Sequence, residues 1–392
     1  MMPFTLASLA GLGVVAVAAY RAGGRPFVGF VTTIFGVHTL ASVGVASIAP
    51  TVVMPALVYG QSSLLVHLLT IRRGVMPSRA WRALVSWPAS VFMAGTFLAI
   101  PWAVVGSVWS GVPGLWLPYA LAAAGALQAV VLRAEDVHIT LDGSVVPSLQ
   151  RVAPARPGAS QGLRVVQITD PHLGSFMSVE RLRAVCERAV AAKPDLVLLT
   201  GDFLTVESHA NASALAEALA PLRSLEGRTF ACFGNHDHEA PDAVRRALAE
   251  VGVHLLVDDM ARVETALGPV ELLGFDFTWR DRKEHLAGVA ARHPRTPGVL
   301  RLALLHDPGA FAHLPDGAAD LVFAGHTHGG QVGLLSLGLV KTAVSALSSM
   351  PDHGLWGLGA MRLYVHRGTG HYGFPVRLGV PPEESVVHVH RG

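Results

Sequence analysis

Residues 1–132 of this 392-residue chain contain no aspartate, no glutamate and no lysine, and no basic residue beyond six arginines, Arg21, Arg25, Arg72, Arg73, Arg79 and Arg82. All 28 acidic residues therefore follow Leu132, together with the other 24 basic ones, so the second part carries a net charge of −4 inside a whole-chain charge of +2. A water-exposed domain cannot be built from the first part. A helix rising 1.5 Å per residue needs about 20 mostly apolar residues to cross roughly 30 Å of hydrocarbon. Stretches 4–20, 27–49, 52–71, 84–108 and 115–132 are the candidates, with the second and third divided at Pro50. The expected architecture is a transmembrane helical region of four or five spans over residues 1–133, a linker and leading strand over 134–162, and a catalytic domain over 163–392.

Arginine placement orients this multi-pass region. Arg21 and Arg25 follow the first stretch, the four from Arg72 to Arg82 follow the third, and Arg133 follows the fifth, while the loops near Pro50 and Ser110 are uncharged. Basic residues stay cytoplasmic, so five spans put the N-terminus outside and the remainder of the chain in the cytoplasm; four spans require the N-terminus to start inside. No basic n-region precedes the first stretch, which argues against a cleaved signal peptide. His38 and His67 lie within spans without acidic partners and are expected as neutral packing residues. Cys186 and Cys232 sit in apolar-patterned segments and share no metal-type spacing, so both are expected in the core. No Lys/Arg-rich run interleaved with aromatics occurs, and nucleic acid is not an expected partner.

After an alternating run (Val137, Ile139, Leu141) and a segment with Pro154, Pro157, Gly158 and Gly162, apolar runs alternate with helical periods. Segments 163–169, 196–200, 229–233, 300–305 and 321–324 read as buried strands; 179–192, with Ser178 as N-cap, 212–225 and 242–251 read as helices. This alternation means an α/β layered fold. Each strand runs into metal-binding residue types: Asp170-Pro171-His172, Gly201-Asp202, Gly234-Asn235-His236-Asp237, His306, and Gly325-His326-Thr327-His328. Ligands of open α/β sheets bind beyond the carboxyl ends of the strands, so five such ends assemble one cluster from distant sequence. Carboxylate, imidazole and amide oxygen together suit Mn²⁺, Fe²⁺ or Zn²⁺ better than Ca²⁺.

This ordered set resembles the calcineurin-like metallophosphoesterase superfamily, and Gly-His-Thr-His continuing into Gly329-Gly330-Gln331 is similar to its bacterial, membrane-associated branch. The resemblance covers about residues 135–389 and implies an αββα sandwich of two mixed sheets with metals at the strand ends. It implies two divalent metal ions, one held by Asp170, His172, Asp202 and His328 and the other by Asp202, Asn235, His306 and His326, with Asp202 bridging. It also implies a phosphoester substrate, mono- or diester, attacked by metal-bridged hydroxide. In that scheme His236 protonates the leaving oxygen or steadies the phosphoryl charge, and Asp237 orients the imidazole. The segment His366-Arg367-Gly368-Thr369-Gly370-His371 resembles the closing turn near the site, where Arg367 is a candidate for contact with substrate phosphate or for a structural salt bridge. His238, His254, His285, His293, His313 and His353 lack motif context.

Residues 332–350 form an apolar insert with a single charge, Lys341, expected as a lid, a core element or a patch on the bilayer. Membrane anchoring makes the lipid bilayer a partner and favours a lipid-linked or membrane-proximal substrate. The alternatives, a membrane sensor or transporter with a regulatory metal-binding domain and a scaffold that has lost catalysis, are opposed by the absence of acidic residues in the spans and by the complete ligand set with His236 retained.

Overall fold

The computed structural model describes residues 2–71, 74–109, 111–154, 162–373 and 376–392; Arg72, Arg73, Ser110, Pro157 and Gly158 lie outside them. The chain divides into two compact units, Met1–Arg73 with Pro77–Gln128 and Gly373–Leu378, and Gly74–Met76 with Ala129–Tyr372 and Gly379–Gly392.

The first unit is helical. Among the described residues, three segments are long and apolar enough to cross a membrane, Met2–Arg21, Val31–Ile48 and Thr51–Thr70, and a fourth is the pair Arg79–Leu98 and Ile100–Gly106, bent by 50°. The first two belong to one continuous helix, Met2–Ile48, about 70 Å long at 1.5 Å per residue. The sequence reading ends its first span before Arg21, whereas the helix carries on through that point. The fifth apolar stretch is helical only over Trp116–Gln128, 13 residues, short of the roughly 20 that a full helical crossing requires. His38 is buried against the rings of Phe35, Phe92 and Phe97.

The second unit is an αββα sandwich. Its strands are β1 (Arg133–Leu141), β2 (Val146–Arg151), β3 (Leu163–Ile168), β4 (Leu196–Leu199), β5 (Thr229–Ala231), β6 (His254–Leu255), β7 (Asp259–Thr265), β8 (Gly268–Gly274), β9 (Leu300–Leu304), β10 (Leu321–Ala324), β11 (Gly354–Gly359), β12 (Met361–Val365) and β13 (Glu383–Arg391). One sheet has the order β1-β13-β3-β4-β5-β6 and the other β2-β11-β12-β10-β9-β8-β7. The five strands read from sequence are β3, β4, β5, β9 and β10. β3, β4 and β5 run parallel, as do β9, β10 and β12, so their carboxyl ends form common edges.

Buried side chains fill the space between the sheets, among them Val165, Leu198, Phe230, Leu302 and Phe323. Helices Val179–Ala191, Ala212–Leu219 and Pro241–Glu250 cover the outer face of the first sheet, burying Leu182, Val185, Leu215, Val244 and Leu248. Each such side chain contributes about 1.5–3 kcal/mol by leaving water. The helix expected over 212–225 tightens to 3-10 geometry from Ala220, where Pro221 removes a helical N–H. Ser178 caps its helix by accepting from the backbone N–H of Arg181. Cys186 and Cys232 are buried.

The leading strand expected within 134–162 is β1, and the stretch after it, expected as linker, holds a second strand, β2. β1 pairs with β13 through nine residues and β2 pairs with β11, so both are edge strands of the sandwich. Pro147 and the mixed polarity of Val146–Arg151 hide β2 in the sequence, and proline is tolerated at an edge. The insert is no single helix. It makes a short 3-10 turn (Leu335–Leu337) and a five-residue helix (Ala343–Leu347) with a Thr342/Ser345 capping box. Leu334, Leu337, Leu339, Val340 and Leu347 face out, Leu337 75% and Leu347 88% exposed, and none of the insert's apolar side chains is buried in the core.

Candidate metal centre

The ligand candidates stand on strained turns just past the strand ends. Asp170, His172, Asp202, His326 and His328 all have left-handed backbone, with φ between 46° and 67°. This region costs a non-glycine residue on the order of 1–3 kcal/mol and persists only where surroundings over-determine it. The loops supply that by lacing together: Asp170 N–H donates to Gly201 O at 2.9 Å and His172 N–H to Asp202 O at 3.1 Å. The glycines in the motifs have a steric reason. A Cβ on Gly325 would lie 2.1 Å from Asp170 Oδ2, and one on Gly234 would lie 2.2 Å from Asp202 Oδ1. Carboxylates of one loop occupy the space that a side chain on the next would need.

Two ligand groups result, Asp170–His172–His328 and Asp202–His306–His326, with ligand atoms in each within 4.8 Å of one another. In the first, His328 Nε2 lies 3.5 Å from Asp170 Oδ1. In the second, His306 Nε2 is 3.3 Å from His326 Nδ1 and 3.3 Å from Asp202 Oδ2. The groups adjoin, because the same Asp202 Oδ2 is 3.5 Å from His172 Nε2.

The chemistry of these donors fits divalent cations. His306 donates Nδ1–H to the carbonyl of Thr200 at 2.7 Å, which fixes the tautomer and leaves Nε2 as the lone-pair donor, a common arrangement behind a metal-ligating histidine. Asn235 Oδ1 is buried and has no hydrogen-bond partner among the described residues, a costly condition unless something else satisfies the oxygen. Burial raises the pKa of Asp170 to about 6, with Asp202 adding to the rise. Asp202 shows the reverse balance: burial works to raise its pKa, but His306, His172 and His236 outweigh it and hold it well below the carboxylate range. Burial and His306 lower His326 to about 4, leaving it neutral as a metal ligand must be. Two buried carboxylates ringed by imidazoles form a site whose charge is best balanced by cations.

Asp237 stands elsewhere than expected. Its carboxylate accepts from the backbone N–H groups of Asp202 (2.7 Å), Gly234 (2.7 Å) and Phe203 (2.8 Å). It ties the Asp202 turn to the Asn235 turn and does not orient His236. That position belongs to Glu239, whose Oε1 lies 2.7 Å from His236 Nδ1. Burial works to lower the pKa of His236, but the Glu239 hydrogen bond and the charges of Asp202 and Glu239 outweigh it, and the net shift is upward. Tyr372 also went unread: its ring stacks on His172 at 4.8 Å and meets His236 edge-on at 4.8 Å. Gln331, with φ at 56°, donates its side-chain amide to the Tyr372 carbonyl at 2.8 Å. Glu239 carried a weak signal, an acid three residues past a histidine; Tyr372 carried none.

Of the two readings of Arg367, the geometry favours the structural one. Its guanidinium lies 2.6 Å from Glu135 Oε1 and 3.3 Å from Glu383 Oε2, and donates to Pro381 O at 3.2 Å. Two carboxylates already engage it, so it brings little free charge to a phosphate.

Residues 163–330 match the family profile of the calcineurin-like phosphoesterases. Phosphodiesterase YaeI of Escherichia coli strain K12 is 30% identical over 231 residues, spanning 58% of this chain and 82% of that protein. The uncharacterised metallophosphoesterase YkuE of Bacillus subtilis strain 168 is 27% identical over 59% of this chain and 80% of its own. UDP-2,3-diacylglucosamine pyrophosphatase LpxG of Chlamydia muridarum is 26% identical over 58% of this chain and 83% of that protein. Strand order, ligand clusters and these relatives agree, and the chain belongs to the calcineurin-like phosphoesterase family of metal-dependent phosphoester hydrolases.

Proposed function

We propose that this chain is a membrane-anchored phosphoesterase with a two-cation centre, acting on a lipid-linked or membrane-proximal phosphoester. One cation would be held by Asp170, His172, Asp202 and His328, the other by Asp202, Asn235, His306 and His326. The observation that carries this reading is the position of Asp202 Oδ2, 3.5 Å from a histidine of one group and 3.3 Å from a histidine of the other. When bound, the cations supply Lewis acidity toward the phosphoryl oxygens and the attacking water; Mn²⁺, Fe²⁺ and Zn²⁺ suit the donors.

The chain's own residues do the rest. Asp237 holds the Asp202 turn in register through three backbone N–H groups. His236, whose pKa the Glu239 hydrogen bond and the charges of Asp202 and Glu239 raise against burial, gives its proton to the leaving oxygen. Tyr372 walls the site against His172 and His236.

The lipid clause rests on the apolar N-terminal region and on LpxG, whose name gives it a diacylated substrate. Arginine placement supports a multi-pass anchor over residues 1–133 with the phosphoesterase, residues 163–392, in the cytoplasm. The test is hydrolysis by detergent-solubilised full-length protein, with Mn²⁺, of aryl monoesters, aryl diesters, phospholipids and a diacylated nucleotide sugar. Turnover of at least one lipid faster than of its water-soluble headgroup analogue is expected. Hydrolysis of soluble esters alone would remove the lipid clause, and no hydrolysis at all would remove the enzyme reading.

A further inference from the structure

Away from the centre just described, β1 and β13 place four metal-type side chains on one face. The strands pair in parallel with His138 opposite His388, and side chains alternate between faces along a strand. Ile139, Val387 and Val389 pack between the sheets, so Asp136, His138, His388 and His390 take the outer face. There the His138 and His388 rings stack at 4.6 Å. Asp136 Oδ1 lies 2.9 Å from His388 Nε2 and 3.6 Å from His138 Nε2. These separations bracket the roughly 3.3 Å edge of a tetrahedron with metal–ligand bonds of about 2.0–2.1 Å. On its other side, His138 Nδ1 is 3.0 Å from His390 Nε2, a contact that orients the ring and leaves Nε2 toward Asp136.

We propose that Asp136, His138 and His388 form a peripheral site for one zinc-class divalent cation, with His390 orienting His138 and solvent completing the coordination. Two imidazoles and one carboxylate with an open fourth position suit Zn²⁺. The three donor atoms lie within 4.8 Å of one another, close enough for one cation to reach all of them. One neighbouring cation is accounted for: Arg164, opposite His388 on β3, donates to the carbonyl of Ala192 at 3.0 Å. Asp136 is the open wall, its side chain 71% exposed, so a cation reaches the site without unfolding. A bound ion would clip the strand that begins the sandwich to the strand that ends it.

This site is independent of catalysis. His388 pairs with Arg164 of β3, six residues before Asp170, a separation of about 20 Å at 3.3 Å per residue. The test uses full-length protein stripped of metal, reloaded with Zn²⁺ and analysed for bound zinc. Asp136→Asn and His388→Gln should each lower zinc content by about one equivalent per chain, with Mn²⁺-supported hydrolysis of an aryl phosphoester unchanged. Asp136→Asn alters an exposed side chain, so its folding is not in doubt, and circular dichroism checks His388→Gln. In an Asp202→Asn background, Zn²⁺ should still raise Tm, and adding His388→Gln should abolish that rise. Equal zinc content in wild type and both variants overturns the proposal, as does a Zn²⁺-dependent Tm rise that survives His388→Gln in that background.

Discussion

Glu239 Oε1 lies 2.7 Å from Nδ1 of His236, across a single 3-10 turn that His236 itself opens. A carboxylate there stabilises the imidazolium, and the pKa of His236 is raised although burial opposes it. As a proton donor His236 works in its protonated form, so activity is present below its pKa and is lost as pH rises through it. Glu239→Gln removes the negative partner and lowers that pKa. The alkaline limb of kcat/KM for a substrate with a poor leaving group should move to lower pH, with metal content unchanged. A limb that stays in place would separate Glu239 from the acid function.

His236→Ala should keep the metals and lose roughly 10²–10⁴-fold in rate, the usual worth of a positioned acid. The loss should shrink for nitrophenyl esters, whose leaving group needs no proton. An equal loss on good and poor leaving groups would reassign His236 to phosphoryl binding.

Asp202→Asn tests the shared ligand. Changing a partner that merely supports a ligand costs about 10–100-fold in metal affinity or activity, so loss of a ligand common to both groups should exceed that and lower metal content at both positions. Elemental analysis finding two metals per chain in an inactive Asp202→Asn variant that also carries His388→Gln, which removes the peripheral site, would contradict the bridging role.

Gly325→Ala and Gly234→Ala test whether the motif glycines are steric. Their new Cβ atoms would land 2.1 Å and 2.2 Å from the Asp170 and Asp202 carboxylates, so both should lower Tm, by about 1–3 kcal/mol of stability, and should strongly reduce activity. Gly288, in the helix Arg282–Arg292 with nothing nearer than 3.8 Å, is the control: Gly288→Ala should stabilise by roughly 0.5–1 kcal/mol. Equal effects at all three positions would make the clash irrelevant.

The ligands were legible because each follows an apolar parallel strand, and parallel strands in layered folds deliver their carboxyl ends to common edges. What sequence could not show depends on side-chain direction. Asp237 follows His236 directly, which suggested a hydrogen bond to that ring, but neighbours on a tight turn point apart and its oxygens meet three backbone N–H groups. Tyr372 reaches the site through tertiary packing alone. The Asp136-x-His138 and His388-x-His390 alternation was present as a period-2 pattern, yet only strand pairing 250 residues apart in sequence, His138 with His388, turns it into a cluster. β2 was hidden because an edge strand keeps one side wet and carries no continuous apolar run.

Five crossings require the chain to reverse after residue 20, where the structure has one continuous helix, Met2–Ile48. A path of four crossings uses Val31–Ile48, Thr51–Thr70, the bent pair Arg79–Leu98 and Ile100–Gly106, and the apolar stretch 115–132. It starts with Arg21 and Arg25 inside and returns Arg79, Arg82 and Arg133 to the same side. Each arginine kept out of the bilayer centre avoids about 2.5–3.5 kcal/mol, and both paths satisfy this while differing only in where the N-terminus lies. Both count a crossing at 115–132, where the helix covers only Trp116–Gln128; with that crossing Asp170 and its partners lie in the cytoplasm, and without it they lie outside. A reporter active only outside the cytoplasm should be silent when joined after Arg133 and active when joined near residue 110, and an N-terminal fusion should distinguish four crossings from five. Activity after Arg133 with silence near residue 110 would put the phosphoesterase outside and discard both paths, leaving the ligand geometry as it stands.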